Sequence, residues 1–389
     1  MSTYDVIILG TGGVGSAAAY HLAMRGAKVL GIDRFPAGHD RGSSHGETRI
    51  IRQAYFEHSD YVPLLLRAYE LWRELEELSG VELLRQVGLL QVGPADGAVV
   101  SGVLASAQTH GLAVESLSPD DVHRRWPGFR VPESFVGAFE KAAGYLRVER
   151  CVLTHIAAAK SHGAEFRFGS AVAAINGDAL GESSDRRAGQ GGGASIEVTT
   201  EDGEAYRAVK LIITPGAWAP ELLKHVNVPL QVRRKHVYWF PTSDSAYREQ
   251  AGFPTYLFEL PHGVFYGFPQ IDELGLKVAE HSGGVVINNP LTDSRDLDTT
   301  DLSRVEAFLS QHLPGVARPM ERRSVCYYTM SPDEHFIVDR HPYFPNAHFA
   351  AGLSGHGFKF TSVLGQALAD LALTGITELP ISHLRLGRF

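Results

Sequence analysis

The residues with the most chemical potential lie near the two ends of the sequence. Gly10-Thr11-Gly12-Gly13-Val14-Gly15 follows a β-branched apolar run at 4–9 and opens an alanine-rich helical stretch at 16–25. A second apolar run, 27–32, ends at Asp33. Strand, GxGxxG, helix, strand and acidic residue together form the full setting of a dinucleotide fingerprint. Gly10 permits the tight turn. Gly12 and Gly13 let the backbone approach a pyrophosphate at the helix N-terminus, and Gly15 lets helix and strand pack closely. Asp33 can accept from a ribose hydroxyl and disfavours a 2′-phosphate. The motif alone does not separate NAD from FAD.

Further along, Ser44-His45-Gly46-Glu47 has the form of a capping box. A helix starting there puts His45, Thr48, Arg49 and Arg52 on one face, a compact cationic stripe. Such a stripe is either a solvated helix face or a contact to the cofactor or an anionic substrate. Residues 350–359 (AAGLSGHGFK) end a strand in a second glycine-rich turn before a helix, where free N–H groups favour an anion. Lys277 sits in an apolar run, as an edge gatekeeper or as a desolvated functional ammonium. By residue type alone, Cys326, Cys151, Tyr266 and His281 read as packing.

These residues need a scaffold. Helices are expected at 16–25, 60–78, 118–126, 149–162 and 361–373, and buried strands at 4–9, 27–32, 83–92, 167–175, 195–200, 210–214, 325–329 and 348–353. Residues 228–287 alternate aromatic and aliphatic residues between Gly/Pro turns, as antiparallel sheet does. The Gly/Ser-rich stretch 177–193 reads as a surface hairpin loop. The order predicts an α/β fold, with a discontinuous Rossmann-like dinucleotide-binding domain interrupted by a β-rich substrate domain. Its pieces are 1–88, 146–220 and 322–389 for the first domain and 89–145 and 221–321 for the second. A formal charge of −8 and no basic block argue against nucleic acid. No apolar run has the length of a membrane span. Two cysteines allow neither a disulfide framework nor a Cys-type zinc site, so no metal centre is expected. The apolar strand at the start, with no leader-like segment, fits a cytoplasmic protein.

Seven blocks in order resemble the monomeric sarcosine oxidase and N-methyltryptophan oxidase family, within the glycine/D-amino-acid oxidase group. They are the fingerprint, SHGETRIIRQAY at 44–55, YVPLLLRAYELW at 61–72, RWPGFRVPE at 125–133, YGFP at 266–269, CYYTMSPDEHFIVD at 326–339 and GLSGHGFKF at 352–360. The resemblance implies a D-amino-acid oxidase-like fold and FAD in the fingerprint. It also implies covalent attachment of the flavin 8α position to the Cys326 sulfur. Arg52 and Lys359 resemble a pair that clamps the substrate carboxylate. Lys277 resembles a lysine that activates dioxygen. Arg49 and His45 resemble residues against the isoalloxazine, and Tyr266 and His281 active-site walls. Cofactor contacts are implied at Gly10, Gly12, Gly13, Gly15, Asp33, Ser44, His45, Thr48, Arg49, Val172, Gly216, Cys326, Gly355, His356, Gly357 and Lys359. The implied reaction is oxidative demethylation of a small N-methyl amino acid by a monomer, with dioxygen as acceptor. Oxidation of N-methyltryptophan or of a cyclic secondary amino acid such as proline or pipecolate is the alternative, and electron delivery to a partner is a remoter one.

Overall fold

The structure, a computed structural model, describes residues 3–177, 195–316 and 318–389. The first strand, Thr3–Leu9, sits centrally in a parallel core. It pairs with Val29–Asp33 on one side and Ala205–Ile213 on the other. Glu165–Phe168 and Ala347–Ala351 extend the parallel set outward. Val172–Gly177, Ile196–Thr200 and Ile337–Arg340 add antiparallel strands to complete eight. Strands covered on both faces need continuous apolar sequence, and all of Val29–Asp33 is buried. Helix Gly13–Met24 packs between helices Val148–Ser161 and Thr361–Thr374. The second contact is very close: a Cβ added at Gly365 would lie 2.5 Å from the Ala17 Cβ.

The second sheet has nine strands and is mostly antiparallel. Its spine is Gln231–Phe240, flanked by Leu276–Glu280 and Val285–Ile287 on one edge and Arg322–Met330 on the other. Gly263–Gly267, Thr255–Leu260, Leu89–Pro94, Phe135–Glu140 and Glu115–Leu117 follow in that order. An aromatic core that includes Phe129, Tyr256, Phe258, Phe265 and Phe308 is covered by helix Thr299–His312. Arg322–Met330 therefore pairs within this sheet, although the division at 322 groups it with the cofactor unit.

Several local expectations are corrected. Residues 48–51 form a strand, Thr48–Ile51, and not a helix. It pairs with Gly144–Arg147, which also pairs with Leu84–Arg85. The apparent capping box is taken apart: the Glu149 carboxylate accepts from the backbone N–H of Gly46 and Glu47, and Glu47 has φ +70°. Three β-branched residues, Thr48, Ile50 and Ile51, suit the strand. The runs at 83–92 and 167–175 each split into two strands, at Gly88 (φ +80°) and Gly169 (φ +72°). Ser118 does cap its helix, Pro119–Arg125, in a box with Asp121. Helices Ala98–His110 and Thr299–His312 lie outside the helices read from sequence. The loop read at 177–193 falls, except for Gly177, outside the described residues.

Candidate active site

A cavity runs between the two sheets. Gly10, Gly12, Gly13, Asp33, Val172 and Gly216 line one end, and Leu257, Tyr266, His281 and Tyr328 line the other. The fingerprint end is built from backbone. Gly10 has φ +85°, and a Cβ there would sit 2.3 Å from the Thr214 carbonyl oxygen. At Gly15 a Cβ would fall 1.9 Å from the Gly10 oxygen, so only glycine lets this helix start meet the strand. Ser44 does cap a helix, but a distant one: its Oγ accepts from the Gly13 N–H at 3.1 Å. Asp33 accepts from Thr11 N and Oγ1 through one oxygen and from Phe35 N through the other. It still lines the cavity.

The second group is a buried cationic cluster. Lys277 lies in an interior strand and is 3% exposed, so the edge-gatekeeper reading is excluded. Its Nζ donates to the carbonyls of Gly46 (2.5 Å) and Thr48 (2.9 Å) and to Thr48 Oγ1 (3.1 Å). Burial, and then the Arg49 charge, pushes its pKa well down. Two of these partners are carbonyls, which can only accept, so the Lys277 nitrogen must donate to both. Arg49 donates to the Thr48 and Ser43 carbonyls and, at 3.1 Å, to the Cys326 sulfur. His45 Nε2 contacts the Gly42 carbonyl at 3.0 Å and its Nδ1 lies 4.0 Å from the same sulfur. Burial alone would raise the Cys326 pKa, but Arg49 and His45 overcome it and bring the thiol to about 6. Cys326 is buried, as packing would require, but it also has two basic side chains beside its sulfur.

The third group is centred on Arg52 and Lys359, which also line the cavity. Arg52 is 3% exposed and donates to both oxygens of Glu57 at 2.6 Å and to Gln91 Oε1 at 3.1 Å. Two cations approach the Tyr55 ring: Arg52 Cζ is 4.4 Å from its centroid and Lys359 Nζ 5.2 Å. Burial, and then Arg52, lowers the Lys359 pKa to about 7. Lys359 donates to the His356 carbonyl, while Tyr55 Oη meets His356 Nδ1 at 2.5 Å. Tyr266, His281 and Tyr328 make an aromatic wall, and burial depresses His281 to about 3, so it is neutral.

The sequence matches the family model described as FAD dependent oxidoreductase over residues 5–371. It is 40% identical to the monomeric sarcosine oxidase of Bacillus sp. (strain B-0618), aligned over 100% of this chain and 97% of that one. The chain belongs to the monomeric sarcosine oxidase and N-methyl-L-tryptophan oxidase family of FAD-dependent oxidoreductases. An N-methyl-L-tryptophan oxidase of Citrobacter koseri is 38% identical, over 99% of both chains. The open form of NikD, described as an unusual amino acid oxidase, shares the fold at a TM-score of 0.84 and 24% identity, covering 99% of this chain and 98% of that one.

The residues present fit FAD. Thr361 Oγ1 and Trp218 Nε1 are buried without a partner among the described residues and belong to cavity-lining side chains. Such orphans are costly unless a polar ligand meets them. Gly355, His356, Gly357 and Lys359 line the same cavity beside the fingerprint. Gly355 must be glycine, since a Cβ would lie 2.4 Å from the Tyr328 ring.

His45, Thr48 and Cys326 do not line the cavity but stand directly behind Arg49, which does. His45, Thr48, Arg49 and Arg52 are brought together by a strand and its flanks, not by the helix face expected. Glu57, Gln91, Tyr55 and Tyr328 were not singled out from sequence. Glu57 carried a signal, an acidic residue five positions after Arg52; the others are visible only once the sheets are paired.

Proposed function

We propose that this chain oxidises the secondary amine of a small N-methyl amino acid, with FAD as cofactor and dioxygen as acceptor. The carrying observation is the buried Arg52 guanidinium in the cavity, whose Nη2 lies 2.6 Å from both oxygens of the Glu57 carboxylate. A substrate carboxylate would take the place of Glu57. When bound, FAD accepts a hydride equivalent from the amine carbon and returns two electrons to dioxygen. Arg52 fixes the carboxylate plane through its fork, and Lys359 adds charge without direction. Orientation supplies much of the barrier reduction. The aromatic wall with neutral His281 disfavours an ammonium and keeps the substrate amine neutral. Lys277 and Arg49 place positive charge where electrons pass to oxygen. In balance, one N-methyl amino acid, one dioxygen and one water give one amino acid, one formaldehyde and one hydrogen peroxide.

Two finer readings belong with this. The depressed Cys326 thiol supports covalent attachment to the flavin. Acid-precipitated protein should stay yellow, and Cys326→Ser should release the colour to the supernatant; a yellow supernatant from the unaltered holoenzyme refutes attachment. The relatives named monomeric support a monomer, and we place it in the cytoplasm. Among the described residues no helix is long and apolar enough to cross a membrane.

N-methyl-L-tryptophan is the second substrate reading, favoured by the relatives of that name. A panel of sarcosine, N-methyltryptophan and proline, read by peroxide and formaldehyde together, separates the readings. Dye reduction without peroxide would instead indicate a dehydrogenase.

A further inference from the structure

The segment that carries the clamp has no regular secondary structure. From Arg52 to His58 the chain leaves its strand and turns through bends before the next helical turn. Its backbone donors are nevertheless all held at the start. Gln53 N–H donates to Glu140 Oε1 at 2.7 Å and Ala54 N–H to Glu140 Oε2 at 3.0 Å. Tyr55 N–H donates to Ser106 Oγ at 3.1 Å. Just beyond, helix Ala98–His110 presses on Phe56 through a glycine: a Cβ at Gly102 would lie 2.9 Å from the Phe56 Cβ.

Glu140 ends strand Phe135–Glu140 and is 1% exposed. Among the described residues it makes no ion pair within 4.0 Å. Burial pushes its carboxyl up to about 7, against the two N–H donors and the field of Arg52. A buried carboxylate is a costly tether, and both its oxygens are spent on the two peptide groups that follow Arg52.

We infer that Glu140 is a positioning residue for carboxylate recognition, acting through Arg52. By fixing the peptides of Gln53 and Ala54 it sets where the Arg52 side chain leaves the backbone. The next peptide, at Tyr55, is held separately by Ser106. The inference rests on the clamp reading above, and it assigns the aim of the guanidinium to a residue that does not itself line the cavity.

A double-mutant cycle on the FAD-loaded enzyme tests it, with acetate as the probe and flavin absorbance as the binding signal. Acetamide serves as the uncharged control. Glu140→Ala should weaken acetate binding about tenfold when Arg52 is present, the size of one charge-assisted hydrogen bond. In the Arg52→Ala background the same change should do nothing more, because there is no guanidinium left to misplace. Glu140→Gln, which retains one acceptor oxygen, should lose a few-fold and serves if the alanine variant does not fold. An equal loss in both backgrounds, or a matching loss for acetamide, makes Glu140 a general structural residue and overturns the inference. Full acetate affinity in either Glu140 variant also overturns it. If Arg52→Ala leaves acetate binding intact, the clamp reading falls first, and this inference falls with it.

Discussion

Two buried pairs of basic residues flank the cavity, and they are balanced differently. Lys277 and Arg49 are held by backbone carbonyls, the Thr48 hydroxyl and the Cys326 sulfur. None of these partners can leave. Arg52 and Lys359 are balanced by one carboxylate side chain, Glu57, on an irregular segment. That partner is exchangeable for a ligand of the same chemistry. On the function proposed above, the first pair would be a fixed electrostatic element for the oxygen side of turnover, and the second a receptor whose resting occupant resembles its ligand.

The comparison breaks most sharply at Lys277. Lys277→Met should slow the oxygen half of turnover about a thousandfold, roughly 4 kcal/mol of lost charge stabilisation in a dry site. Reduction by substrate should change far less. Stopped-flow measurement of the two half-reactions checks this, and equal losses in both would erase the division of labour. Arg52→Ala comes next, with about 2–4 kcal/mol lost from kcat/KM for an N-methyl amino acid but not for its amide. Arg52→Lys should keep part of the affinity and lose orientation, so kcat should fall as well as KM rise.

A pH series sharpens the contrast within the second pair. Lys359 must be protonated to attract a carboxylate, and its pKa is lowered to about 7. Acetate affinity should therefore fall as pH rises above 7, by up to about tenfold per unit. Lys359→Met should flatten the profile. The stability effect runs the other way. Between about 7 and the ordinary 10.5, the folded chain holds less proton on this group than the unfolded chain, so this contribution to stability rises with pH. The smallest effect belongs to the resting occupant. Glu57→Gln weakens the competitor for Arg52, so acetate should bind several-fold tighter, about 1 kcal/mol. Weaker binding would mean that Glu57 organises the site rather than occupying it.

The sequence was most legible where one residue type is forced by local geometry. Gly10 and Gly15 could be read because close backbone approach admits nothing else, and the strand before them and Asp33 after them from pattern and position; the tight glycine between them is Gly13 rather than the Gly12 that the motif suggests. Lys277 and Cys326 could be located but not interpreted from type alone; their surroundings depend on Arg49, which belongs to a different sheet and lies more than 220 positions away in sequence. The failure at 44–52 has a definite cause. Ser44 and Glu47 satisfy the local grammar of a helix start, but Glu149 takes the backbone donors and Gly144–Arg147 supplies a strand partner. Glu140, Gln91 and Tyr328 left no trace in pattern, since each acts across strands that the sequence does not pair.

The crossing of helix Gly13–Met24 with helix Thr361–Thr374 has a consequence for biosynthesis. A Cβ at Gly13 would meet Thr361 at 2.7 Å, so the fingerprint and the last glycine turn share one wall. Translation delivers the first of these elements early and the second almost at the end. At about 5–20 residues per second, more than fifteen seconds separate them on the ribosome. Until the C-terminal helix emerges, the first helix lacks that packing partner and the cavity lacks the wall formed by residues 350–361. Nascent chains truncated before residue 355 should therefore be unable to retain cofactor, and flavin loading belongs to the completed polypeptide.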